Sequence, residues 1–276
     1  MESKNARVDG IVMRWDEVGD GTPVVFVHGV PTDPSLWRNV LPLVQGARCL
    51  AWEMVGYGNS IPEGRGRNIS VAHQAEYLVA WLRTLGLTRV ILAGHDLGGG
   101  VVQIAATRHP EACAGLFLTN AIGYDSWPIP SVNAMKYVGG IARRLPDSLF
   151  EMIFRSFLYR GHDTSDLADA AFEAHWPAYE RHGAAEAFVR QIEALHTQDT
   201  LDVAESLPRL GVPARIAWGT GDAFQKIEYG ERFAKDLDAP LRRIEGARHF
   251  TPEDHPDIIA SQVSQLVADV NARTFP

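Results

Sequence analysis

The chain has 276 residues, 46% of them hydrophobic and 22% charged. That is enough apolar material for one large domain or a domain with an insertion, and too little charge for bulk disorder. Lys and Arg number 26 against 34 Asp and Glu, for a formal charge of −8. This balance argues against a nucleic-acid surface and against attraction to anionic membranes, and fits ordinary solubility.

The N-terminus is polar and lacks the apolar stretch of a signal peptide. No apolar run is long enough to span a bilayer, so a cytoplasmic address is expected. Residues 7–18 alternate and predict an edge strand or hairpin. Residues 23–28 (PVVFVH) form a β-branched and aromatic run, as in a strand covered on both faces. Residues 35–44 read as helical and 47–53 as a second buried strand. Ser70 caps a predicted helix that runs to about Leu85, with Gly86 at its end. Residues 89–94 (RVILAG) are a third buried strand, 97–108 a helix stopped at His109-Pro110, and 114–120 a fourth strand. Cys49 and Cys113 fall at the starts of buried strands and read as reduced core residues.

Strand–helix alternation signals a parallel α/β sheet. It stops near Gly123. From Tyr124 to about Thr200 the pattern is helical, opening with Trp127-Pro128-Ile129-Pro130 and rich in aromatics. Alternation resumes with a strand at 212–218, a helix at 228–237, a strand at 241–244 and a helix at 257–270. The expected organisation is a mostly parallel, doubly wound core made of 1–123 and 201–276, interrupted by a helical block over 124–200.

Three motifs carry chemistry. Gly94-His95-Asp96-Leu97-Gly98 lies between a buried strand and a helix. This is a nucleophile elbow with Asp96 in the nucleophile position. The glycines leave room for a strained turn, and the following helix points N–H groups at the carboxylate. Asp96 could instead serve only as a helix cap, which the remaining motifs argue against. His28-Gly29-Val30-Pro31 follows the first parallel strand and places the Val30 N–H beside that of Leu97 as an oxyanion hole. His28 reads as an organiser of that loop. Asp222, in Gly219-Thr220-Gly221-Asp222, and His249, in Gly246-Ala247-Arg248-His249-Phe250, follow later strands in the order nucleophile, acid, base. His95 is expected to point into the fold. His162 and His175 read as structural, the former near the surface. Metal-ligand spacing is absent, and no cofactor is expected.

On these motifs the chain resembles the α/β-hydrolase superfamily, in particular its epoxide hydrolase and haloalkane dehalogenase branch. Gly56-Tyr57-Gly58-Asn59-Ser60 resembles a turn of that superfamily, and the stretch from His28 through Leu36-Trp37-Arg38-Asn39-Val40 looks like a haloalkane dehalogenase. The resemblance implies an α/β-hydrolase fold with 124–200 as a helical cap. It also implies an ester between Asp96 and a saturated carbon, cleaved by water that His249 activates. Haloalkane dehalogenases place Trp after the nucleophile, and many place Asn in the HG-x-P loop, to hold the halide; here stand Leu97 and Val30. Epoxide hydrolases use cap donors, for which this chain offers Tyr124, Tyr137, Tyr159, Tyr179 and His175. An epoxide hydrolase-like enzyme is therefore the leading expectation, a dehalogenase with an atypical halide site the alternative, and a non-catalytic ligand-binding homologue the reading from another class. The substrate-contact candidates are Trp37, Tyr124, Tyr159, His175 and Trp176. The expected partners are a small, largely apolar substrate and water, with monomer or homodimer undecided.

Overall fold

The computed structural model describes residues 1–274 except 131, 135, 137–142, 144 and 145; Tyr137 lies outside the described residues. Eight strands form one sheet in the order β1-β2-β4-β3-β5-β6-β7-β8. β1 (Glu2–Val8) and β2 (Ile11–Val18) make an antiparallel hairpin. Their two-residue turn, Asp9-Gly10, has positive φ at both positions, as a tight hairpin between twisted strands requires. β2 runs antiparallel to β4 (Ala47–Trp52). β3 (Thr22–Val27), β5 (Val90–Asp96), β6 (Cys113–Ala121), β7 (Ala214–Gly219) and β8 (Leu241–Ile244) are parallel to their neighbours.

The central strands β5 and β6 are buried along their whole length, which explains their unbroken apolar runs. α2 (Leu97–Arg108) packs against both, and α1 (Val71–Thr84) packs on α2. Further along the sheet lie α7 (Ile227–Asp236) and α9 (Pro256–Thr274). The Ser70 hydroxyl accepts the His73 N–H and caps α1 as its sequence predicts. Cys49 and Cys113 are buried free thiols. Among the described residues, no helix is long and apolar enough to cross a membrane.

The helix expected over 35–44 resolves into two short 3-10 turns, Pro34–Trp37 and Leu41–Leu43. Pro42 is the physical reason: it lacks the N–H that a continuing helix needs, and its ring crowds the preceding turn. Between β6 and β7 run α3 (Asp147–Gly161), α4 (Ser165–His182), α5 (Ala184–Glu193) and α6 (Gln198–Ala204). Phe154 of α3 meets Phe172, Trp176 and Tyr179 of α4 edge-on, at centroid separations of 6.0, 5.4 and 5.2 Å.

A buried ionic cluster ties these helices to the sheet. His162, expected near the surface, is fully buried, with Nδ1 2.6 Å from Asp254 Oδ1. His175 is equally buried, 3.2 Å from Asp33 Oδ1 and 3.4 Å from Glu253 Oε1. Those two contacts lack hydrogen-bond alignment and act as ion pairs. Arg38 also pairs with Glu253. Glu253 and Asp254 belong to α8 (Thr251–Asp254), just beyond His249. The Gly161 carbonyl, at the end of α3, accepts the N–H groups of His249 (2.8 Å) and Phe250 (3.1 Å).

Burial pushes the His175 pKa down, but the carboxylates of Asp33 and Glu253 outweigh it and raise the imidazole to about 9. The folded pKa thus lies above the unfolded value of 6.5, so the stabilisation is complete below pH 6.5 and is lost as pH rises through 9. His175→Phe should therefore destabilise the protein by about 3–5 kcal/mol at about pH 6, by leaving buried Asp33 without its ion pair. The gap to wild type should narrow by about pH 9.5. Urea denaturation at both pH values measures this; a gap independent of pH would contradict the assignment.

Candidate active site

Asp96 ends β5 with φ 49° and ψ −122°, an unfavourable conformation for a residue with a side chain. The glycines around it are sterically required. A Cβ on Gly94 would lie 2.4 Å from the Gly98 carbonyl oxygen, and one on Gly98 would lie 2.1 Å from that of Val27. The strand therefore passes into α2 through a turn that only glycine permits at both flanking positions.

The loop after β3 closes over the carboxylate. A Cβ on Gly29 would meet Asp96 Oδ2 at 2.4 Å, so this glycine too allows close approach. The Val30 N–H donates to Asp96 Oδ2 at 2.9 Å. Burial pushes the Asp96 pKa up, while His249 and the N–H groups of Val30 and Leu97 oppose it; the net direction is upward. His28 organises this loop, as expected. Its Nε2 accepts the Met54 N–H at 3.1 Å, which leaves Nδ1–H to donate to the Gly29 carbonyl at 2.9 Å. Burial pushes His28 down to about 4, so the ring is neutral.

Asp222 and His249, on loops after β7 and β8, meet Asp96. His249 Nδ1 lies 2.8 Å from Asp222 Oδ2, and Nε2 lies 3.9 Å from Asp96 Oδ1. Burial alone would lower the His249 pKa; the carboxylates of Asp222 and then Asp96 raise it above the usual value. Asp222 is itself held on both oxygens. Oδ1 accepts the Phe224 N–H at 2.7 Å, and Oδ2 accepts Asn120 Nδ2 at 2.7 Å. Asn120 Oδ1 in turn accepts the Gly219 N–H and the Thr251 hydroxyl, both at 3.1 Å. Asn120 thus braces the acid that orients His249. His95 points inward and donates from Nε2 to the His249 carbonyl at 2.9 Å. Other acidic residues near these loops are engaged elsewhere. Asp125 accepts from Tyr229, and Glu245 from Thr220.

Beside Asp96 and His249 opens a pocket. Its core-side lining is Val30, Leu97, Ile122, Phe224, Gln225 and Phe250, and its lining from the helical segment is Trp127, Pro128, Ile129, Val132, Phe157 and Leu195. None of the five substrate-contact candidates lines it. Trp37 is fully buried in the core against Phe26. The Tyr124 hydroxyl donates to Asp236 at 2.8 Å, and its ring lies under Arg232. Tyr159 is 42% exposed and bonded to Asp169. His175 belongs to the ionic cluster described above, and Trp176 packs between Phe154 and Phe172. The Tyr179 hydroxyl is bonded to Gln191. The aromatic segment does contribute to the pocket, but through Trp127 and Phe157.

Removing the Asp222 charge should lower the His249 pKa. Asp222→Asn should lower it more than Asp96→Asn, because the 2.8 Å partner contributes more than the 3.9 Å one. Imidazole titration by NMR reads both shifts. A larger fall in Asp96→Asn would reverse the assignment of the orienting acid.

With this geometry in view, the relatives are informative. A family model described as alpha/beta hydrolase fold matches residues 22–256. A haloalkane dehalogenase of Bradyrhizobium diazoefficiens is 26% identical, over 99% of this chain and 96% of its own. A solved alpha/beta hydrolase fold protein from Burkholderia ambifaria superposes with a TM-score of 0.87 at 25% identity, covering 95% of this chain and 97% of its own. The epoxide hydrolase CorEH, without ligand, shares the fold with a TM-score of 0.80 at 22% identity, covering 98% and 99%. From the match over most of its length and the eight-stranded, mostly parallel sheet, this chain is a member of the α/β-hydrolase fold family.

Proposed function

We propose that the protein is a hydrolase in which Asp96 attacks a saturated carbon and forms an alkyl ester. The observation that carries this reading is the division of labour between the two carboxylate oxygens. Oδ2 is held by the Val30 N–H at 2.9 Å, whereas Oδ1 lies on the side of His249. In a serine hydrolase the same N–H groups receive the oxygen of an acyl substrate. Here the carboxylate's own oxygen takes that place, which disfavours acyl transfer and suits displacement at an alkyl carbon.

In the first step Oδ1 forms a bond to carbon and the bond to the leaving group breaks, its electron pair departing with that group. In the second step water attacks the carboxyl carbon of the ester and gives a proton to His249 Nε2. Negative charge develops on Oδ2, which already accepts the Val30 N–H, and the Leu97 N–H at the start of α2 is the second donor of the proposed oxyanion hole. Collapse expels the alkoxide, which takes the proton from His249, and the Asp96 carboxylic acid left behind releases its proton to solvent, restoring the carboxylate. Asp222 keeps Nδ1 protonated and stabilises the imidazolium.

The leaving group best served is a halide. An opening epoxide needs a proton donor for its oxygen, and among the described residues the donors expected for that purpose, Tyr124, Tyr159, Tyr179 and His175, lie outside the pocket. A halide departs as a stable anion and needs none. The likeness to the Bradyrhizobium dehalogenase along 99% of the chain supports this choice. The substrate is then a small haloalkane, since the lining is largely apolar, and residues of the segment 124–200 form the roof that selects it.

His249→Gln should stop the second step but not the first. Incubated with a haloalkane, that variant should gain the mass of the alkyl group and release one equivalent of halide. Intact-protein mass spectrometry with parallel halide assay reads both. Gain of a whole epoxide mass, with no adduct from any haloalkane, would transfer the assignment to epoxides.

A further inference from the structure

Among the described residues, the pocket holds one polar side chain with hydrogen-bonding capacity left unused. Gln225 is 2% exposed and lines the pocket with Asp96. Its Oε1 is buried without a partner, and its side-chain amide makes no hydrogen bond to any described residue. The other polar side chains of the lining are engaged. Trp127 Nε1 donates to Thr200 Oγ1 at 2.7 Å, and Asp96 and His249 face each other. The Gln225 backbone is fixed all the same. Its carbonyl accepts Trp218 Nε1 at 2.9 Å, and the preceding N–H, that of Phe224, is held by Asp222 Oδ1 at 2.7 Å. The loop that carries the orienting acid therefore also places this amide. A buried amide oxygen without a protein partner is unfavourable; with the amide turned by half a rotation the NH2 takes its place, and a ligand that accepts a hydrogen bond then satisfies it.

We propose that Gln225 is the specificity residue that donates a hydrogen bond from its side-chain NH2 to the halide displaced by Asp96. This rests on the ester reading above and deepens it. Val30 and Leu97 carry no side-chain donor, so without Gln225 the departing anion would meet no uncommitted side-chain donor among the described lining residues. With no described residue bonded to its Oε1, the amide can turn its NH2 toward the anion. An amide N–H donates a hydrogen bond but does not surrender its proton. The site therefore suits chloride or bromide and fails to serve an alkoxide, which must be protonated. The bond strengthens as charge builds on the halogen, so it acts on the transition state more than on substrate binding.

The test compares wild type, Gln225→Leu and Gln225→Glu on matched chloroalkanes and bromoalkanes. It reads halide release, inhibition by added sodium bromide at constant ionic strength, and thermal stability. Gln225→Leu should lose roughly tenfold to hundredfold in kcat/KM. The loss should be larger for chloride, the poorer leaving group, and bromide inhibition should weaken. Gln225→Glu, which puts an acceptor where a donor is needed, should lose more. Thermal stability of Gln225→Leu should equal or exceed wild type, because an unpaired buried amide has been removed. A structural role would lower it.

Wild-type kcat/KM and bromide inhibition in Gln225→Leu would overturn the proposal, as would an equal loss for both halides accompanied by lowered stability. His249→Gln separates this failure from that of the ester reading. An alkyl adduct that forms equally fast with and without Gln225 removes only the role of Gln225. An adduct with epoxides alone keeps the ester and overturns the halide assignment. No adduct of either kind, despite wild-type turnover, overturns both.

Discussion

Asp96 Oδ2 accepts the Val30 N–H at 2.9 Å, and much of the architecture serves that contact. For the carboxylate to stand there, β5 must end in a residue with φ 49°. The flanking turn must let α2 begin within 2.4 Å of where a Gly94 side chain would stand. The loop after β3 must pass so close that Gly29 has no room for a Cβ. β3 and β5 are neighbours because the chain winds outward in opposite directions from them, and at such a switch point the loops at the carboxyl ends diverge and leave a crevice. The strained turn persists because helix, strand and loop all determine it.

A second set of constraints holds the imidazole. His249 is positioned by Asp222 on one ring nitrogen, by His95 on its carbonyl, and by the Gly161 carbonyl on its N–H. That last contact comes from the end of α3, so the segment between β6 and β7 is anchored at the base itself. The ionic cluster of Asp33, His175, His162, Glu253 and Asp254 begins immediately beyond it. Phe250 joins the two, with its ring 4.9 Å from His249 and stacked 4.5 Å from His162, while lining the pocket. The pocket wall and the attachment of the helical segment thus share residues. A change in the cluster is expected to be felt as a change in pocket shape.

Local rules made the elbow legible in sequence. Gly94 and Gly98 flank Asp96 between an apolar run and a helix, and no other simple arrangement needs that spacing. Asp222 and His249 were readable because each follows a strand, where open α/β sheets gather their ligands. The contents of the pocket were not legible. Phe157 and Tyr159 sit two residues apart on α3, yet one lines the pocket and the other meets solvent. Composition alone favoured the tyrosine. His175 and His162 find Asp33, Glu253 and Asp254 only through the tertiary fold. Asn120 braces Asp222 because the end of β6 lies beside the loop that follows β7, a neighbourhood that the sequence order does not reveal. Gln225 lies on an irregular loop where periodicity carries no information. The one available signal was its place three residues after the acid.

Everything in this account depends on oxygen leaving the protein with the product. If Asp96 Oδ1 becomes bonded to the substrate carbon, the first alcohol released carries an oxygen that belonged to Asp96. A single turnover in water enriched in oxygen-18, with enzyme in excess over a haloalkane, tests this directly. An unlabelled alcohol and one heavy oxygen in the peptide that contains Asp96, found by mass spectrometry after proteolysis, are the expected outcome. Labelled alcohol and an unlabelled Asp96 would mean that water attacks the substrate itself, and would contradict the ester at the centre of the proposed mechanism.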